Sequence, residues 1–443
     1  MQSSILFVAP SAYCLGGVQV WLNQLMLGLR ADPHWRPIVA LPSGVHHDYA
    51  RYLKAYPDLT AVPLPNPTGS SEGRRRAICN VLLAHQPDLV VGVNIADLYP
   101  AVRRARGKGF AGKVAFSLHG LSADLLADIA AEADLLDGVI ATNRLSCRLV
   151  EKLTAIPSER VHYAPYGVDV PEAVALPDHT DNLPNEMDPL RILWVGRLEQ
   201  NQKRVHDLPA ILEALDRTGL AYQLTIAGDG PERQALSQEL QRWILNQSVI
   251  FSGAVSSQEM ISTVYPSQQV LLITSLWETG PIVAWEAMAA GLVVVSSTYI
   301  GSGCEAALQT EENCLLFPIG NSQHAASALL RCADPQLRRT LRTRGRDLVV
   351  QRYTHAASLQ AWKEAFRMVL ASPPRTQSKP EPPLPPAGRL DHILGSSLAD
   401  HLRRRLGVHF HHHSPGGEWP HTAHGLIPED SILEEASQID ATA

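Results

Sequence analysis

The sequence predicts an α/β protein built from two doubly wound domains, each a parallel sheet with helices on both faces, followed by a C-terminal tail. Three observations predict it. Short apolar runs alternate with longer amphipathic ones from residue 5 to 170, and the same alternation restarts at 191. The first four of those short runs lack apolar/polar alternation, as expected of strands covered on both faces. Between the two series, residues 177–189 hold three prolines and four acids with little apolar character, which marks a linker.

In the first half, Ile5–Pro10, Pro37–Pro42, Leu59–Leu64, Asp88–Val93, Lys113–His119, Gly138–Ala141 and Val161–Pro165 read as strands. Val18–Arg30 and Arg74–His85 carry helical spacing between them. In the second half, Arg191–Gly196, Gln223–Gly228, Val249–Gly253, Val270–Ser275 and Val293–Ser297 read as strands. Helical patterns at 321–332, 335–350 and 354–371 close the ordered body. Seven prolines in the sixteen residues 373–388 suit an extended linker. A ligand is expected in a cleft between the two halves, at the carboxyl ends of both sheets.

Composition narrows the function. A net charge of -6 with 19% charged residues argues against a general nucleic-acid binder. No apolar run reaches the roughly 18–20 residues of a membrane span, because Glu286, Ser296 and Ser297 interrupt the best candidate. Met1–Gly17 lacks a basic start and reads as a buried first strand rather than a signal peptide, so a cytoplasmic location is expected. The six cysteines, without a Cys-x-x-Cys pair, read as reduced and mostly buried thiols.

The most informative stretch runs from Thr274 to Gly291. A buried strand ends at Ser275, a Gly280-Pro281 turn follows, and a helix starts near Pro281, where a missing N–H costs nothing. Such a start offers unpaired N–H groups and partial positive charge to a phosphate. Glu278 precedes the turn, and Glu286 lies about two helical turns further on. Carboxylates flanking a phosphate-sized site suit hydroxyl-rich ligands. An isolated pair at this spacing is more often two solvated helix acids. Three further features weigh against that reading. Gly196-Arg197-Leu198 ends the first strand of the second half, with Lys203 six residues after Arg197, and two such cations can clamp a diphosphate. Ala227-Gly228-Asp229-Gly230-Pro231 and Phe251–Val255 end the next two strands with turn chemistry. Gly16-Gly17-Val18 makes a glycine turn into a helix in the first half. It is not a Gly-x-Gly-x-x-Gly turn, so a nicotinamide dinucleotide site gains no support.

Together these motifs resemble the retaining glycosyltransferases of family 4, within glycosyl transferases group 1, over roughly residues 4–371 and most strongly over 191–330. The resemblance implies the GT-B fold, two Rossmann-like domains facing across a cleft. It implies an acceptor-binding domain at 1–180, a nucleotide-sugar-binding domain at 190–352, and a helix at 353–371 packing back towards the first domain. A linker at 372–388 and a His-rich tail at 389–443, read as disordered, complete the chain.

The resemblance also implies roles. Glu278 would hold the donor sugar's hydroxyls and Glu286 the ribose. Arg197 and Lys203 would neutralise the diphosphate, assisted by backbone N–H groups near Gly280, Ile282 and Val283. Val255 would lie near the base, Gly17 would approach the diphosphate, and His119 matches a position near donor sugar and acceptor. For His119 a satisfied strand-end histidine is nearly as good a reading. Two departures stand out. The Arg197–Lys203 spacing is one residue longer than the family pattern, which leaves Lys203 and Arg204 as alternatives at the phosphate, and Tyr166 stands where asparagine is more usual. No Asp-x-Asp occurs in the sequence, so a metal-independent reaction without a cofactor is expected, the cationic clamp replacing Mg2+.

The expected partners are therefore a UDP- or GDP-sugar and a glycan, lipid-linked or small-molecule acceptor. A sugar-nucleotide epimerase and a non-catalytic sugar-nucleotide sensor remain as alternatives. Eight of eighteen histidines fall in 389–443, where adjacent ones can chelate metal opportunistically, although a solvated tail is the plainer reading. Leu390–Leu406 has some helical spacing and ends in Arg403–Arg405, which would suit a partner or an anionic membrane surface and a peripheral location at the cytoplasmic face. The cluster Arg103, Arg104, Arg106 and Lys108 would suit an anionic or membrane acceptor, or simply a solvated helix end.

Overall fold

Runs of β-branched and other apolar residues with no polar face become the inner strands of two separate parallel sheets. A computed structural model describes residues 2–10, 17–42, 49–171, 189–373, 375, 379–384, 386, 388–409, 423 and 425–443. The chain divides into two units, Met1–Ala164 with Leu359–Glu435, and Pro165–Ser358 with Ala436–Ala443.

The first unit holds seven strands: β1 (Ser3–Val8), β2 (Trp35–Pro42), β3 (Ala61–Leu64), β4 (Leu89–Val93), β5 (Lys113–Leu118), β6 (Gly138–Ala141) and β7 (Val161–Tyr163). Their order is β3-β2-β1-β4-β5-β6-β7, with every neighbouring pair parallel. Ile5–Val8 are wholly buried, which explains their unbroken apolar run. The helix Gly17–Arg30 packs Trp21, Leu22, Leu25, Met26 and Leu29 inward at helical spacing. Trp362 and Phe366, from the part of the helix His355–Ala371 that belongs to this unit, close the core: the Trp362 ring lies 4.6 Å from Trp21, and Phe366 lies 6.0 Å from Phe7.

The second unit holds β8 (Leu190–Val195), β9 (Tyr222–Ala227), β10 (Val249–Gly253), β11 (Val270–Ile273), β12 (Val293–Ser297) and β13 (Cys314–Phe317). Their order is β10-β9-β8-β11-β12-β13, again all parallel. The order reverses between β8 and β11, which makes the ends of these two strands the switch point where α/β sheets bind ligands. Trp285 stacks on Tyr353 with 4.1 Å between ring centroids, tying the helix Ile282–Ala289 to the end of the helix Pro335–Arg352.

Several expectations need correction. β13 has no counterpart in the sequence reading, and the Lys113 strand stops at Leu118. The units part at Ala164, not within 177–189, because Val168 N donates to Tyr353 O and Ser358 Oγ donates to Pro165 O. Residues 172–188 themselves lie outside the described residues.

The cluster at Arg103–Arg106 is neither a solvated end nor an open anion site. Arg103 is buried between Glu132 and Asp134, Arg104 grips Glu72 and Glu381 through paired bonds of 2.7–2.8 Å, and Arg106 faces Asp137. Lys108 is exposed.

The tail is not uniformly disordered. Its described part forms helices Arg389–Leu394, Ser396–Leu406 and Glu429–Ala441, while His411, His412 and His413 lie outside the described residues. The proline-rich stretch before it is pinned to the first unit through Glu381 on Arg104 and the Lys379 carbonyl on Arg103. Five cysteines (Cys79, Cys147, Cys304, Cys314 and Cys332) are free thiols, and Cys14 falls outside the described residues. Among the described residues no helix is long and apolar enough to cross a membrane.

Candidate functional site

Two loops leave adjacent strands of the second unit and meet. The first, Gly196–Arg204 after β8, is fastened to the loop after β9 by backbone bonds: Gly196 N to Ala227 O, Leu198 N to Asp229 O, and Glu232 N to Leu198 O. Gly228 allows this approach. Its φ is +139°, and a Cβ there would fall 1.9 Å from Gly196 O, which no side chain survives. The Glu199 carboxylate then accepts the Gln202 and Lys203 backbone N–H groups and folds the loop back on itself.

The second loop runs from Thr274 to Pro281 after β11. Leu276 N donates to Gln202 O, and Thr274 Oγ1 donates to Lys203 O, so the two loops are joined along their length. Trp194 Nε1 donates to the same Thr274 hydroxyl from within β8.

At this junction the Glu278 carboxylate is 6% exposed. Oε1 takes a bond from Lys203 Nζ at 2.6 Å and one from Ser275 Oγ at 2.6 Å, and Oε2 takes a longer one from Gln202 Nε2 at 3.4 Å. The two adjacent cations have different partners here. Lys203 turns to Glu278, whereas Arg204, with φ +52°, is spent on Asp207 at 2.8 and 2.9 Å. Arg197 is exposed and has no ion pair among the described residues.

Beyond Glu278, Gly280 takes φ +102° and turns the chain into the helix Ile282–Ala289 with Pro281 at its N-cap. The N–H groups of Ile282 and Val283 stand in the first turn, where no carbonyl of the helix can accept them. Val255, Ile282 and Val283 are half-buried against one apolar cluster that includes Met260, Tyr265 and Trp285. Glu286 sits beside it, and Tyr265 Oη donates to its Oε2 at 2.8 Å. Burial pushes the Glu286 carboxyl above the usual range, the Tyr265 bond offsets part of this, and the Asp169 charge adds to it. The helix therefore presents a poorly solvated carboxylate about one turn beyond its open N–H groups, an arrangement suited to a ligand carrying both hydroxyls and phosphate.

Two of the expected residues belong to the first unit. Gly17 is the exposed first residue of the helix Gly17–Arg30, and Gly16 lies outside the described residues. His119 follows β5, 7% exposed, with its ring 4.3 Å from Trp21 and stacked on Trp362 at 6.2 Å. Burial pushes its imidazole down to about 3, so it is neutral at physiological pH.

Sequence reasoning missed Ser275, Gln202 and Tyr265 as partners of the two glutamates. Ser275 stands three residues before Glu278 and Gln202 adjoins Lys203, so both lay inside recognised motifs. Tyr265 carried no such signal, since it ends a short π-helical turn, Met260–Val264.

The family described as Glycosyl transferases group 1 matches residues 189–334, the stretch that holds both loops and both glutamates. The glycogen synthase of Mycobacterium tuberculosis is 31% identical over 199 residues, covering 44% of this chain and 46% of its own. The chain thus spans less than half the length of that relative. The putative colanic acid biosynthesis glycosyltransferase WcaL of Salmonella typhimurium is 25% identical over 366 residues, covering 78% of this chain and 84% of its own. Among solved structures, Anabaena HepE in complex with UDP and glucose superposes with a TM-score of 0.66 at 19% identity, over 83% of this chain and all of that one. At that identity the likeness is one of fold, and the fold is GT-B.

Proposed function

We propose, from the match of residues 189–334 to glycosyl transferases group 1, that the chain is a retaining glycosyltransferase that moves a hexose from a UDP- or GDP-sugar to a glycan, lipid-linked or small-molecule acceptor. The observation that carries the reading is the contact of Lys203 with Glu278 beside the Gly280–Pro281 turn: a cation, a carboxylate and open helix N–H groups converge at one switch point. That HepE is in complex with UDP and glucose supports a nucleotide-sugar donor.

The chemistry follows from charge. Breaking the bond from sugar C1 to phosphate builds negative charge on the diphosphate and positive charge on the ring. Lys203 and Arg197, with the N–H groups of Gly280, Ile282 and Val283, stabilise the first, so no metal is required. Glu278, held by Ser275 and Gln202, accepts hydrogen bonds from the sugar's hydroxyls and fixes the ring. Glu286, oriented by Tyr265, accepts from the ribose. The departing phosphate oxygen takes the acceptor's proton on the face it leaves, which retains configuration without a protein nucleophile.

Incubation with labelled UDP- and GDP-sugars and members of each acceptor class tests this. Transfer with release of the nucleoside diphosphate and a retained anomeric centre, lost in Glu278→Ala, is the expected result. Interconversion of the sugar without acceptor would mark an epimerase, and donor binding with no turnover a sensor.

A further inference from the structure

The helices Arg389–Leu394 and Ser396–Leu406 follow the proline-rich stretch and lie outside the segment the family matches. They are joined at Gly395, whose φ is +74°. One face is committed to the first unit. Ala399 and Asp400 are wholly buried, and the Asp400 carboxylate accepts from Thr68 Oγ1 and Ser70 Oγ at 2.5 Å each and from Arg76, at the N-terminus of the helix Ser71–His85. Asp391 takes Arg403 through two bonds of 2.6 and 2.9 Å. These are the only two acids between 389 and 409, and both are turned inward and used.

What faces outward is apolar and cationic. Ile393 is 78% exposed and Leu406 74%, with Leu398 and Val408 about half exposed. Leu398, Leu402 and Leu406 recur at every fourth residue and so form one stripe of the helix, flanked by Arg405. Arg389, Arg404 and Arg405 are exposed and form no ion pair among the described residues.

We infer that this two-helix segment is an interfacial element that lies in an anionic lipid surface, the leucine stripe in the acyl boundary and the arginines on headgroup phosphates. Charge selects this occupant. A second copy of the chain would bring the same cationic face against itself, since a two-fold contact is self-complementary. An anionic bilayer supplies an apolar layer for the stripe and a negative layer for its flanking arginines. Where the proposed transfer reaction holds, this selects a lipid-linked acceptor among the three classes, because the segment is docked on the unit read as acceptor-binding.

The test is co-sedimentation of the full chain with phosphatidylcholine vesicles, with and without phosphatidylglycerol. Binding to the anionic vesicles alone is expected, weakened by salt and at least about tenfold by either Ile393→Ser/Leu406→Ser or Arg404→Glu/Arg405→Glu. All four side chains are exposed, so these variants keep the fold. Nucleotide binding, measured in parallel, stays at the wild-type level, which separates this inference from the transferase reading. Absence of vesicle binding, equal binding to neutral vesicles, or unchanged binding by both variants overturns it. So does self-association in solution that the Leu406→Ser change abolishes, which would make a second copy the occupant.

Discussion

Lys203 Nζ lies 2.6 Å from Glu278 Oε1, although the two residues are 75 apart in the chain. The contact exists because β8 and β11 are neighbours, and their outgoing loops are laced together by Leu276 N on Gln202 O and Thr274 Oγ1 on Lys203 O. The pair is the centre of the proposed donor site, and the neighbouring Arg204 is instead paired with Asp207. Lys203→Met is expected to lower sugar transfer by about 10²-fold or more, the usual loss when a transition-state charge partner is removed. Arg204→Ala, whose guanidinium serves Asp207, should retain turnover near wild type. Steady-state kinetics of the two variants with one donor checks the distinction.

Ser275 Oγ donates to Glu278 Oε1 at 2.6 Å and so positions the carboxylate. Ser275→Ala deletes one hydrogen bond to an almost buried carboxylate, for a stability loss of about 1–2 kcal/mol by denaturant unfolding. A looser carboxylate should lower kcat more than it raises KM. Ser275→Thr, which keeps the hydroxyl, should recover most of the rate.

The surroundings of Glu286 disfavour its charged form. Its raised pKa means that the folded protein binds a proton more readily than the unfolded chain does, so ionised Glu286 costs stability above its folded pKa. The cost disappears as pH falls below the carboxyl's unfolded value. Glu286→Gln is therefore expected to raise the melting temperature of the ligand-free protein at pH 7, and the gain should vanish at pH 4.

His119 produces the opposite pH behaviour. Its folded value of about 3 lies below the ordinary 6.5, so only the unfolded chain takes up its proton in that window. Stability is full above about pH 6.5 and falls by up to about 1.4 kcal/mol per unit as pH drops towards 3. Burial depresses His162 in the same direction. Urea titrations of His119→Gln should show a shallower acid slope. An unchanged slope would mean that Trp21 and Trp362 do not exclude water from the ring.

Asp400 anchors the helix Ser396–Leu406. Asp400→Ala removes the shared acceptor of the Thr68 and Ser70 hydroxyls, leaving Thr68 to Asn66 Oδ1, and strips Arg76 of its charge partner, at a cost of about 2–4 kcal/mol if the helix stays docked. Release is the alternative, and limited proteolysis at Arg403–Arg405 reports it directly.

How much of this was legible depends on distance along the chain. The two sheets were, because each buried strand announces itself as a short apolar run. The site was legible where a motif holds both members of a contact, as with Glu278 and the Gly280–Pro281 turn. It was not where the partner lies elsewhere. Arg103 and Arg104 read as surface charges because Glu132, Asp134 and Glu72 are about thirty residues away and Glu381 is 277 from Arg104. The tail read as solvated for the same reason: Asp400 finds Thr68 from 332 residues away. β13 was hidden by the polar residues Glu311, Glu312 and Asn313 just before it.

The most direct test of the donor site is a thermal-shift titration of UDP, GDP, ADP and their common sugar conjugates against wild type, Glu278→Ala and Glu286→Ala. At about 100 times its dissociation constant a ligand adds about 2.7 kcal/mol of stability. One nucleotide family should stabilise wild type by that order, Glu286→Ala should lose the response to the nucleoside diphosphate, and Glu278→Ala should lose only the increment given by the sugar. Equal stabilisation of all three proteins would contradict the account.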